Sequence, residues 1–128
     1  MGATFATAMG DTTRSTTYTT QAANTLCFQQ SYWSSSNAYI VSNVNVNNGR
    51  SGLDANSVLT SIHTFDIEAG CDAATFQPCS DKALANLYAV VNSFRGSLYP
   101  INSGIAANAA VALGRYKEDV YYGVSVPN

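Results

Sequence analysis

The sequence predicts an all-α protein built from several amphipathic helices joined by long loops, and three observations carry that expectation. Apolar residues recur at three- and four-residue spacing in separate stretches, two of these stretches open on strong N-cap residues, Asp54 and Ser80, and the segments between them are rich in Asn, Gly and Pro.

Taken in order, Ala22, Ala23, Leu26, Cys27, Gln30 and Trp33 share one face at helical spacing, which predicts a helix over 20–33 ended by Ser34 to Ser36. Residues 37–52 are Asn-rich and β-branched, with Ile40, Val41, Val44 and Val46 ahead of the turn signal Asn48-Gly49, and read as a long loop with some extended structure. Asp54 then caps a second helix carrying Val58, Leu59, Ile62 and Phe65 on one stripe. Residues 67–78 form a loop. Ser80 and Asp81 open the strongest helix, with a core stripe of Ala83, Leu84, Leu87, Val90, Val91 and Phe94 and a far end capped by Gly96. A short Ala-rich helix over 106–113 follows the Tyr99-Pro100 break, and then the aromatic and charged run 115–122. No period repeats and no linker divides the chain.

The 128 residues suit one domain, which at this size buries roughly two-thirds of its unfolded surface. Only 11% of residues are charged, against about 25% in an average soluble domain, and such a polar but uncharged chain points to secretion. Net charge is -2, and the cations Arg14, Arg50, Lys82, Arg95, Arg115 and Lys117 are scattered, so no basic face exists for nucleic acid. No window approaches the roughly 18 apolar residues of a membrane-spanning helix. Met1 to Gly10 lacks the basic and apolar regions of a secretory signal peptide, and Ala6 stands where a myristoylation motif has Ser or Thr. Asn-x-Ser/Thr is absent.

Three cysteines, Cys27, Cys71 and Cys79, leave at least one unpaired within the chain. Cys71 and Cys79 stand eight residues apart across a loop-like stretch and fit either a small disulfide ring or two buried thiols. A zinc site would need His63 as third ligand and lacks a fourth. Of the eight acids, Asp54 and Asp81 serve as helix caps, and the local pairs Asp66 with Glu68 and Glu118 with Asp119 point apart rather than forming an acid and a base. His63 reads as a hydrogen-bonded core or supporting histidine, since no nucleophile elbow or Cys-His motif accompanies it. Gly114-Arg115-Tyr116 followed by Glu118, Asp119, Tyr121 and Tyr122 combines a forked donor, carboxylates and aromatic faces, as sugar sites do, and by composition fits a surface ion-pair cluster equally.

The collinear stretches Ser61-Ile-His-Thr-Phe-Asp66, Cys71 with Thr75-Phe-Gln-Pro-Cys-Ser80, Lys82-Ala-Leu-Ala-Asn86, Asn92-Ser-Phe-Arg95 and Gly114-Arg-Tyr-x-Glu-Asp-x-Tyr-Tyr122 together resemble the fungal glucoamylases of glycoside hydrolase family 15. The resemblance runs from Gly2 to Tyr122. It implies a partial (α/α)6 barrel over 1–122, a tail over 123–128 without family counterpart, and descent from an extracellular, inverting exo-1,4-α-glucosidase that releases β-glucose from starch or maltooligosaccharides. Inversion needs one carboxyl to protonate the leaving oxygen and another, roughly 6.5 to 9.5 Å away, to activate water. The family's two glutamates lie before and after the matched region, so the resemblance implies that the chain holds no catalytic residue and is inactive alone. Substrate binding carries over to Arg115, Tyr116, Asp119 and Tyr121. Cys71 and Cys79 match a family disulfide, and Cys27 matches a cysteine whose partner lies beyond Asn128.

Neither cofactor nor metal is implied. The expectation is a truncated product that begins within a helix and ends in foreign sequence, prone to self-association through exposed barrel helices. A non-catalytic, secreted glucan-binding module is the alternative reading.

Overall fold

The computed structural model describes residues 1–96 and 99–119, so Tyr121 and the 123–128 tail lie outside the described residues. The order is α1 (Gly2–Ala8), α2 (Thr12–Gln30), β1 (Trp33–Ser34), β2 (Tyr39–Ile40), α3 (Ala55–His63) and α4 (Asp81–Ser93), with 3₁₀ turns at Ile67–Ala69 and Pro100–Asn102. Two compact units divide the chain, Met1–Trp33 and Ser34–Asn128.

In the first unit α1 packs on α2, with Ala6 buried between them and the Thr7 and Ser15 hydroxyls 2.7 Å apart. Asp11 caps α2 by accepting the Arg14 N–H at 2.9 Å, and its other oxygen meets Arg14 Nη1 at 3.1 Å. The helix expected from Thr20 therefore begins at Thr12. Its first turns are threonines, weak helix formers, whose hydroxyls turn back onto carbonyls four residues earlier, Thr16 on Thr12 and Thr17 on Thr13. No residue of α2 is buried, Cys27 is exposed, and helix ends at Gln30 rather than Trp33.

In the second unit the core is Leu53, Val90 and Phe94, with Tyr39, Val58, Ala89 and Tyr99 packed against it. Ser80 caps α4 as expected, its hydroxyl accepting the Ala83 N–H, but the helix stops at Ser93 with Phe94 as its C-cap, not at Gly96. The single stripe expected on α4 splits in two: Ala83, Asn86, Val90 and Phe94 are buried, while Leu84, Leu87 and Tyr88 are exposed. Asn86 ties the covered face to its neighbours, accepting the Ile40 N–H at 2.9 Å and donating to the Ser57 hydroxyl at 2.8 Å.

The inner face of α3 is polar. Ser57 and Ser61 are buried, Ser61 donating to the Phe76 carbonyl, whereas the expected stripe residues Leu59, Ile62 and Phe65 point outward and only Val58 meets the core. His63, expected in the interior, is exposed at the last turn of α3, where the end of the helix dipole suits a polar ring. The loop over 67–78 is cross-linked by a Cys71–Cys79 disulfide with the Cα atoms 4.9 Å apart. Gln77, fully buried, organises it by accepting the Asp66 N–H and donating to the Thr64 carbonyl.

The Ala-rich helix expected over 106–113 does not form. Its backbone is committed elsewhere. The Arg95 guanidinium donates to the carbonyls of Ile105, Ala106, Ala107 and Ala109, the last at 2.7 Å. Buried Asn102 takes both backbone groups of Ala112, at 2.8 and 2.9 Å, and donates to the Phe94 carbonyl at 2.8 Å. An eight-residue helix would have to give up these charge-assisted and buried bonds for a marginal nucleus.

Candidate functional site

The site grows from two segments that meet far apart in sequence. The first is the approach to α3. Gly52, at φ +83°, brings the backbone so close to Val41 that a Cβ would stand 2.7 Å from its Cγ1, which leaves glycine as the residue that fits. Two residues on, Asp54 is 3% exposed. Its Oδ1 accepts the Asn56 N–H at 2.9 Å as the N-cap of α3, and its Oδ2 faces two guanidinium groups, Arg50 at 3.6 Å and Arg115 at 3.3 Å. A carboxylate this far from water requires such partners.

The second segment is the run 114–119. Gly114 passes over the Phe94 ring, where a Cβ would come within 3.2 Å of Cε1. The Arg115 carbonyl accepts the Ala55 N–H at 2.7 Å, which pins the run to the start of α3. Tyr99, its ring tilted against that of Phe94 at 4.8 Å between centroids, donates its hydroxyl hydrogen to the Lys117 carbonyl at 3.2 Å. Glu118 Oε1 accepts the Ser51 N–H at 2.9 Å. Burial works to raise the Glu118 pKa, but the bonds from Ser51 and the charge of Lys117 outweigh it and hold the carboxyl below the ordinary glutamate value.

Of the residues singled out from the sequence, Arg115 and Tyr116 come together. The Arg115 side chain is 59% exposed, and the half-buried Tyr116 ring lies under the Arg50 guanidinium, 3.7 Å from Cζ to centroid. Asp119 follows in an exposed turn closed by its N–H on the Tyr116 carbonyl at 3.0 Å, and Tyr121 falls outside the described residues. Sequence reasoning missed Arg50 and the second role of Asp54. The Arg50–Asp54 spacing looks like an ordinary local ion pair, and nothing local discloses a partner 61 residues away.

The family model for glycosyl hydrolases family 15 matches residues 1–126. The chain belongs to this family. Glucoamylase-1 of Schizophyllum commune is 62% identical over 122 residues, 95% of this chain and 20% of that protein. The glucoamylase of Neurospora crassa is 63% identical over 97 residues, 76% of this chain and 15% of its own length. Among solved structures, the family 15 glucoamylase from Hypocrea jecorina superposes with a TM-score of 0.85 at 60% identity, covering 94% of this chain and 20% of the other. The Hormoconis resinae glucoamylase gives 0.81 at 52%, covering 95% and 20%. The chain thus spans about a fifth of the length of the first relatives it matches, and its helices are part of an (α/α)6 barrel, as the sequence predicted.

Proposed function

We propose that the chain is a segment of the catalytic domain of a secreted, starch-degrading exo-1,4-α-glucosidase of family 15, contributing one wall of its sugar pocket. The observation that carries this reading is the Arg115 fork, held out beside Tyr116 on a buried carboxylate. Planar guanidinium donors suit vicinal sugar hydroxyls, and a tyrosine ring packs on a pyranose face. Asp119 and Tyr121 complete the proposed substrate-binding set.

Catalysis by this chain alone is not part of the proposal. Inversion requires two carboxyls with opposite roles, and the only glutamates are Glu68, exposed on a 3₁₀ turn, and Glu118, ionised and engaged by Ser51. In the parent reaction one carboxyl would give its proton to the glycosidic oxygen as its bond to C1 breaks, and the other would take a proton from the water whose oxygen bonds to C1, so no cofactor is required. The Cys71–Cys79 disulfide fits an oxidising, extracellular setting, and the exposed faces of α3 and α4 favour self-association.

Titration of the purified chain with maltotriose tests the wall. The expected result is weak saturable binding, with Kd about 1 mM, abolished by Arg115→Ala. Binding indifferent to that substitution would overturn the reading, and micromolar binding by a cooperatively folded monomer in a parallel sedimentation run would favour a dedicated glucan-binding module instead.

A further inference from the structure

Asp54 joins the two segments of the wall, pairing with Arg50 of one and with Arg115 of the other. Its position is fixed from below, because Oδ1 is committed to the first turn of α3 and the residue is 3% exposed. Its second oxygen meets Arg115 through Nε, not through the terminal nitrogens. That distinction matters chemically. A guanidinium has five N–H donors, one on Nε and four on the two terminal nitrogens, and a carboxylate that engaged the fork end-on would occupy the donors a ligand needs. Side-on attachment at Nε instead restricts the long side chain while leaving its fork outward, in keeping with a root at a buried carboxylate and a side chain 59% exposed. The same oxygen holds Arg50, whose guanidinium covers Tyr116 at 3.7 Å, so the second sugar-facing group is braced from the same point.

We propose that Asp54 is the positioning residue of this wall: by holding Arg115 at Nε and Arg50 over Tyr116, it keeps the fork and the ring in the arrangement that a sugar meets. This deepens the sugar reading of Arg115 and rests on it. Asp54 touches no ligand in this role. It acts through the two arginines, and its capping bond to α3 is a separate task performed by its other oxygen.

Asp54→Asn separates the two tasks, because Asn is as good an N-cap as Asp but carries no charge for the arginines. The readout is the Arg Nε–Hε resonance in ¹⁵N-edited NMR, with Arg14 as an internal reference, since it pairs with Asp11 through Nη1. In the unsubstituted chain the Arg115 Nε–H is expected to exchange with solvent about tenfold more slowly than that of Arg14, and Asp54→Asn should remove the difference while helix content by circular dichroism stays unchanged. Maltotriose binding should weaken about tenfold in the same variant. Equal exchange of Arg14 and Arg115 before any substitution would overturn the proposal and does not depend on the variant folding. Unchanged Arg115 protection or unchanged maltotriose affinity in Asp54→Asn would also overturn it. If protection behaves as expected but the unsubstituted chain fails to bind maltotriose, the anchor stands and the sugar reading of the site falls.

Discussion

Helix α4 and the segment 99–119 are neighbours that hold their shape by different means. The helix satisfies its own backbone, starts at a Ser80 cap and places Ala83, Val90 and Phe94 against the core. The segment has only a three-residue 3₁₀ turn among its described residues, and side chains distant in sequence complete its backbone bonds: Arg95, Asn102 and Tyr99. The candidate sugar wall sits on the second kind of structure. A site on such a segment is only as rigid as the polar side chains behind it, so substitutions there should reach Arg115 without touching it.

Substitutions can separate the two regimes, and the largest effect is expected from Asn102→Ala. It strips three hydrogen bonds from a residue 3% exposed and leaves the Phe94 and Ala112 carbonyls without that partner. A loss of about 3 kcal/mol, read as a lower urea midpoint at constant slope, is the expected outcome. Arg95→Ala should cost about 1.5 kcal/mol, less because its contacts are partly solvated, yet it should raise amide exchange over 105–112 selectively. Ser80→Ala should cost about 1 kcal/mol through the lost cap, with faster exchange at the first turn of α4 and none of the 105–112 effect. If Arg95→Ala and Ser80→Ala gave the same exchange pattern, the distinction between the two regions would collapse.

The smallest effect is that of acid. Because the Glu118 carboxyl titrates below its ordinary value, its contribution to stability is fully present above the ordinary glutamate range and is lost as pH falls through the lowered value. The Ser51 amide, bonded to Glu118 at 2.9 Å, should therefore shift in NMR spectra only once the pH has fallen below the ordinary glutamate range. A Ser51 shift that titrates above the ordinary glutamate range would contradict the depressed carboxyl.

The same contrast decides what the sequence discloses. Asp54 and Ser80 announce α3 and α4 because a cap acts on a backbone N–H two or three residues away. The start of α2 is hidden because its threonines have low helix propensity, and the hydroxyl bonds that accommodate them form only once the helix exists. The run 106–113 misleads in the opposite direction: its alanines favour helix, but Arg95 and Asn102 claim the backbone first. On α3 the periodicity correctly marks a helix but not its buried face, because hydrogen-bonded Ser57 and Ser61 go inward in place of Leu59 and Ile62. Apolar stripes left outward on α3 and α4 fit a chain that covers about a fifth of its matched relatives. Arg115 and Tyr116 are legible through their motif, whereas the carboxylate that holds them is legible only in three dimensions.

The central claim, a sugar wall without its catalytic pair, is tested most directly by incubating the purified chain with maltose and following glucose release. No release above the enzyme-free blank is the expected result, and turnover that Arg115→Ala abolishes would contradict it.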